Sequence, residues 1–197
     1  MYELQTSINI NGASFGIRNN GDFRMVLDCF KALNDDELSP LEKTYSCLIM
    51  FYEDLNSIED VESYANIAEE LQLEMFKFFN CGEENSQGNT NGKRLVDWEK
   101  DSNLIISAIN NVAHTEVRSL QYLHWWTFMG YYMSIGECLF GTVVSLRKKL
   151  AEGTKIEKHE KKFIQDNPEY FNIDTRSNEQ KAMDDYVRSL WSNNDNG

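Results

Sequence analysis

Residues 122–135 read YLHWWTFMGYYMSI, and the spacing of the apolar side chains in this run decides the fold class. At about 100° per residue, Tyr122, Trp126, Met129 and Met133 fall along one helical stripe. Leu123 and Gly130 flank it on one side, and Trp125 and Tyr132 on the other. His124, Thr127 and Tyr131 gather on the opposite face. A helix apolar over most of its circumference is packed by several neighbours. The expectation is a central helix with Trp126 on its buried stripe, Trp125 nearer the margin, and Gly130 admitting a neighbour closely. Trp and Tyr also dominate interface hot spots, so a partner-binding groove is the alternative. A base-stacking platform would need surrounding positive charge.

Outward from this helix, helix punctuation dominates. Four Ser/Thr-x-x-Glu/Gln capping boxes precede apolar-periodic runs: Ser39 with Glu42, Ser134 with Glu137, Thr154 with Glu157, and Ser177 with Gln180. Pro40 falls at a first helical position, where its missing N–H costs nothing. The periodicity predicts helices near 22–33, 40–52, 58–80, 97–113, 117–133, 136–151, 156–165 and 178–191, with Gly82 capping the third. At the N-terminus, TSINI and SFGIR flank Asn11-Gly12, the dipeptide of a tight type I′ turn. Ala13 leaves the register open.

The expected fold is mainly α, a multi-helix bundle with a small N-terminal β-hairpin. Residues 1–82 hold the hairpin and acidic helices. Residues 83–94 form a flexible linker, since residues 82–94 (GEENSQGNTNGKR) contain no apolar side chain. Residues 95–171 form a C-terminal helical region with the His-Trp-Trp helix. Residues 172–197 add an extra helix and a disordered tail.

The chain of 197 residues is 41% hydrophobic and carries a net charge of −13. Residues 1–82 hold 15 acids against 5 bases. A surface this acidic repels nucleic acid and anionic membrane. No apolar run is long enough to span a bilayer, and the N-terminus lacks a signal-peptide pattern, so a cytosolic location is expected.

Candidate chemistry is sparse. Cys29, Cys47, Cys81 and Cys138 are widely spaced, with no Cys-x-x-Cys pair, and are expected to be reduced and mostly buried. His159-Glu160 begins like a zinc-protease helix, but Phe163 stands where the second histidine must be. His114 sits at a helix end, a structural role. No nucleophile elbow and no phosphate-binding glycine loop occur. The basic stretch Lys148, Lys149, Lys155, Lys158, Lys161 and Lys162 is interleaved with acids and reads as a solvated surface. No catalytic, metal or cofactor site is expected.

The order of segments resembles the phage gene-product-fifteen family of Gram-positive siphoviruses. The resemblance runs over about residues 8–171. It is carried by GDFRMVLDCF at 21–30, FNCG at 79–82, the Asp97-Trp98-Glu99-Lys100-Asp101 element, the Leu123–Phe128 element, Arg147, and the Lys/Glu-rich stretch 156–163. It implies a non-enzymatic tail assembly chaperone that binds the tape measure protein, with tail tube subunits and self-association as further contacts, in the cytoplasm of the bacterial host. Trp98, His124, Trp125, Trp126, Phe128 and Arg147 are then the structural or partner-binding candidates. The alternative from another class is an acidic inhibitor that imitates DNA against a host defence nuclease, suggested by the acidic first 82 residues.

Overall fold

The computed structural model describes residues 3–83 and 94–173. The fold is mainly α with a two-stranded N-terminal sheet, as expected. The described residues fall into two compact units, 3–83 with 102–136, and 94–101 with 137–173. This division cuts across the boundaries read from sequence: residues 102–136, including the His-Trp-Trp helix, join the N-terminal helices. The connection expected over 83–94 and the extra helix and tail expected over 172–197 lie, but for their edge residues, outside the described residues.

In the first unit, β1 (Ser7–Ile10) pairs antiparallel with β2 (Ala13–Gly16) in the register Ile8↔Phe15 and Ile10↔Ala13. Asn11 and Gly12 both have positive φ, 52° and 85°, so the Asn-Gly dipeptide makes the tight turn and Ala13 opens the second strand. Ile8, Ile10 and Phe15 are buried, which puts one face of the hairpin on the helices.

A left-handed turn follows at Asn19, Asn20 and Gly21, with φ of 52°, 51° and 76°. Asparagine tolerates this region, and glycine is required at the third position for a second reason. A Cβ on Gly21 would lie 2.7 Å from the Phe78 ring and 3.0 Å from the His124 imidazole. The turn delivers Asp22 to the N-cap of α1 (Phe23–Leu33), where its carboxylate accepts the Arg24 N–H at 3.0 Å. Helix α2 (Pro40–Phe51) starts on the expected Ser39/Glu42 capping box with Pro40 in its first turn. It packs on α1, where Cys29 and Cys47 are both fully buried.

The helix expected over 58–80 is broken into α3 (Ile58–Ser63), a 3-10 turn (Ala65–Ile67) and α4 (Ala68–Phe79). The Ser63 hydroxyl donates to the Asp60 carbonyl at 2.6 Å, a local bond that competes with helix continuation. Tyr64 leaves the helical path and packs its ring edge-on to Phe15, centroids 5.3 Å apart. Cys81, at φ 58°, takes the left-handed capping position assigned to Gly82. The Gly82 N–H returns to the Lys77 carbonyl at 2.8 Å and the Cys81 N–H to the Phe78 carbonyl at 3.0 Å, a Schellman closure.

Helix α5 (Ser102–Ala113) begins later than the expected residue 97 because the Asp97 carboxylate accepts the Glu99 and Lys100 N–H groups, making a side-chain turn instead. It ends at His114 through a left-handed backbone, φ 52°. The helix expected over 117–133 is a 3-10 turn (Val117–Ser119), an extended stretch, and then α6 (Trp125–Met133). The stretch is held extended against the start of α1: the Phe23 N–H donates to the Leu123 carbonyl at 2.9 Å, and the Leu123 N–H to the Asp22 carboxylate at 2.9 Å.

In the second unit, α7 (Leu139–Glu152) is capped by Cys138, while Ser134 closes α6 through its hydroxyl on the Gly130 carbonyl, so the Ser134/Glu137 box is not used. Helix α8 (Lys158–Asp166) starts one turn later than Thr154 would allow, with the Glu157 N–H on the Glu160 carboxylate at 2.9 Å. The Ser177/Gln180 box lies outside the described residues. Val143 and Leu146 of α7 are buried, and Phe163 of α8 meets Phe171 edge-on.

Candidate functional site

The two adjacent tryptophans close the end of α4. The last carbonyls of a helix have no partner within it. Trp125 Nε1–H donates to the Phe79 carbonyl and Trp126 Nε1–H to the Phe78 carbonyl, each at 2.9 Å. Consecutive indoles on α6 thus satisfy consecutive carbonyls on α4, some 46 and 48 residues earlier in the chain.

The expected order of burial is reversed. Trp125 is 1% exposed, whereas Trp126 is half-buried. Phe128, three residues after Trp125, is fully buried and stacks on Phe23 at 4.5 Å and 6°. Trp125 stacks on Phe128 and meets Phe30 edge-on. Tyr122 and Met133, assigned to the buried stripe, are 45% and 77% exposed. The cause is the position of the helix start. His124 is the N-cap of α6, so Tyr122 stands outside the helix and the core-facing pair becomes Trp125 and Phe128. Among the described residues, nothing lies within 4 Å of the missing Cβ of Gly130, where a close neighbour was expected.

His124 is 1% exposed and orders both sides of the junction. Its Nδ1 accepts the Trp126 N–H at 3.0 Å, which requires that nitrogen to be unprotonated. The proton therefore sits on Nε2, 3.0 Å from the Gln5 carbonyl, to which it donates. Burial pushes the imidazole below its ordinary pKa of 6.5, with the Gln5 carbonyl and Asp22 opposing the shift.

Beside this junction an open cleft of about 890 Å³ lies between α1, the end of α2 and residues 120–122. Met25 forms buried floor, and Ile49, Met50 and Leu120 are half-buried walls. Tyr122 stands at the rim, its hydroxyl on the Asn20 carbonyl at 2.9 Å. Arg18 reaches the Ile49, Tyr52 and Leu55 carbonyls, where it meets the negative end of α2. Arg24 donates to both Asp22 oxygens at 3.0 Å and to the Arg118 and Leu120 carbonyls. Sequence reasoning singled out none of these cleft residues as a site. The GDFRMVLDCF segment at 21–30 nevertheless holds four of them, Asp22, Arg24, Met25 and Asp28, and Tyr122 opens the His-Trp-Trp stretch.

The remaining two candidates lie in the second unit. Arg147, 2% exposed, donates to Asp101 at 2.6 and 2.8 Å, to the Leu95 carbonyl at 3.0 Å and to the Tyr170 carbonyl at 2.7 Å. Trp98 is half-buried on the Asp97–Asp101 turn. The six candidates thus divide four and two between the units: Trp125 and Phe128 pack, His124 caps α6, Trp126 bonds the Phe78 carbonyl, and Arg147 bridges Asp101, Leu95 and Tyr170.

Among the described residues, no cluster of three or more His, Cys, Asp or Glu side chains could hold a metal ion, and no helix is long and apolar enough to cross a membrane. No curated protein and no solved structure matches the chain. A family model described as Bacteriophage Gp15 protein matches residues 1–173. That span takes in the Asp-Phe-Arg triplet, both tryptophans, the Asp97–Asp101 turn and Arg147, and the chain belongs to the Bacteriophage Gp15 protein family.

Proposed function

We propose that this phage protein is a non-enzymatic tail assembly chaperone, which keeps the tape measure protein soluble in the host cytoplasm until tail tube subunits polymerise around it. Family resemblance supplies the class of partner. The observation on this chain that supports the reading is the open cleft, floored and walled by Met25, Ile49 and Met50 on an acidic body. Methionine side chains adapt to varied apolar shapes, which suits a surface that must accept a long, repetitive client. A client with exposed apolar stripes aggregates when free, and a highly charged carrier opposes that. Self-association would let several copies coat one client.

Co-expression with the tape measure protein encoded by the same phage tests the proposal. The chain should co-purify with it and raise its soluble fraction. A tape measure protein that stays insoluble and is not retained would refute the chaperone reading.

A further inference from the structure

We propose that Cys29 and Cys47 form a redox pair, which a small peroxide converts, inside the folded first unit, to a disulfide that staples α1 to α2. The pair stands apart from the chaperone reading, and neither depends on the other.

The geometry is reciprocal. Cys29 lies on α1 and Cys47 on α2, 18 residues further along the chain, where the two helices pack. The Cys47 Sγ lies 3.5 Å from the Cys29 carbonyl oxygen, and the Cys29 Sγ 3.9 Å from the Cys47 carbonyl oxygen. Each sulfur thus reaches across the interface to the backbone of the other residue. The two thiols are also hydrogen-bond partners of one another. A disulfide joins residues whose Cβ atoms face each other at close range. With both sulfurs already across the interface, the bond needs side-chain rotation rather than movement of a helix.

Two buried thiols are otherwise only small apolar groups. Asymmetry and access distinguish this pair. Hydrogen bonding to Cys29 holds the Cys47 thiol below its ordinary pKa, whereas contact with Cys47 and burial hold Cys29 above it. Cys47 is therefore the nucleophile and Cys29 the sulfur that resolves it. Both are fully buried, which excludes bulky or charged oxidants. Hydrogen peroxide is uncharged and little larger than water. Its route is short, since Met25 lines the open cleft and its Sδ lies 4.0 Å from the Cys29 Sγ.

The chemistry has two steps. The Cys47 sulfur attacks one peroxide oxygen, the O–O bond breaks, and the products are a sulfenic acid and one water. The Cys29 sulfur then attacks the Cys47 sulfur, the S–O bond breaks, and the hydroxide leaves with the Cys29 proton as a second water. Two thiols lose two electrons and two hydrogens, and the peroxide is reduced. Met25, Ile49 and Met50 belong to the joined helices, so the bond would also fix their spacing along the cleft.

The test uses the full chain carrying Cys81→Ser and Cys138→Ser, which leaves the pair as its only thiols. A serine hydroxyl keeps the cap of α7, and thermal melts before treatment confirm the fold. The native protein is exposed to hydrogen peroxide, remaining thiols are blocked in denaturant, and unreduced peptides are mapped by mass. The expected result is a cross-linked peptide joining Cys29 and Cys47, with the Tm raised by about 5 °C and restored by a thiol reductant. Adding Cys29→Ser should abolish both the cross-link and the rise in Tm. Thiols that stay free, or a sulfinic acid without the cross-link, would overturn the pair. A cross-link that lowers the Tm, or that forms only in urea, would overturn it too, because the folded helices would then not hold the sulfurs in place. A rise in Tm that persists with Cys29→Ser would show that the stabilisation does not come from this bond.

Discussion

Arg147 and Asp101, 46 residues apart in the chain, form a two-armed ion pair at 2.6 and 2.8 Å with both side chains almost fully withdrawn from solvent. The same guanidinium also holds the Leu95 and Tyr170 carbonyls. One side chain therefore ties three separated segments of the second unit together.

Removing one member of such a pair strands the other charge. Arg147→Met should destabilise the second unit by about 3–5 kcal/mol. The double variant Arg147→Met with Asp101→Leu should recover part of that loss, since no buried charge then remains. Urea unfolding of the two variants checks this. A cost below about 1 kcal/mol for the single variant would show that the pair does not hold the unit together.

The tryptophans should separate in the order of their burial. Trp125→Ala removes a fully buried ring and its bond to Phe79, and should cost about 3–5 kcal/mol. Trp126→Ala, at a half-buried site, should cost roughly 1–3 kcal/mol. Thermal melts of both variants give the order directly. Equal costs, or a larger one at Trp126, would contradict the burial described for α6.

His124 should make the first unit sensitive to mild acid. Its folded pKa lies below 6.5, so the folded chain binds fewer protons at this site than the unfolded chain does. The stabilising contribution is fully present above about 6.5 and is lost as the pH falls through the folded value. Protonation also removes Nδ1 as the acceptor of the Trp126 N–H. Denaturation curves taken across this range should show stability falling with pH in the wild type. In His124→Asn, which keeps a capping oxygen, that part of the slope should vanish. An unchanged slope in the variant would assign the pH dependence to other groups.

Thiol chemistry should follow burial. Cys29 and Cys47 are fully buried, and Cys29 is held above the ordinary thiol pKa by its contact with Cys47 and by burial. Cys81 is exposed on the left-handed turn after α4. A thiol reagent applied to the native protein should modify Cys81 and spare Cys29 and Cys47, read by peptide mass mapping. Early modification of Cys47 would mean that the α1–α2 contact opens readily.

Some features were legible because a few neighbouring residues suffice to specify them. Asn11-Gly12 places its own turn, and Ser39, Pro40 and Glu42 place the start of α2, through bonds within four residues. The segments of the family resemblance were also legible, since Asp22-Phe23-Arg24, Leu123–Phe128 and Arg147 stand in the sequence as such. Their tasks were not. Nothing near Arg147 names Asp101, Leu95 and Tyr170 as its partners, and nothing near Trp125 names the end of α4.

The sequence by itself determined the helical class, the hairpin turn and the segments that carry the family resemblance. Tertiary structure alone decided which of two adjacent tryptophans is core. A helix repeat assigns faces only once the first helical residue is known. That residue follows from long-range bonds: the Phe23 N–H and the Asp22 carboxylate hold Leu123 extended, and His124 caps α6. The same long-range bonds opened the cleft beside Tyr122. Backbone propensity acts over one turn of chain, whereas burial depends on surfaces brought together from a hundred residues away.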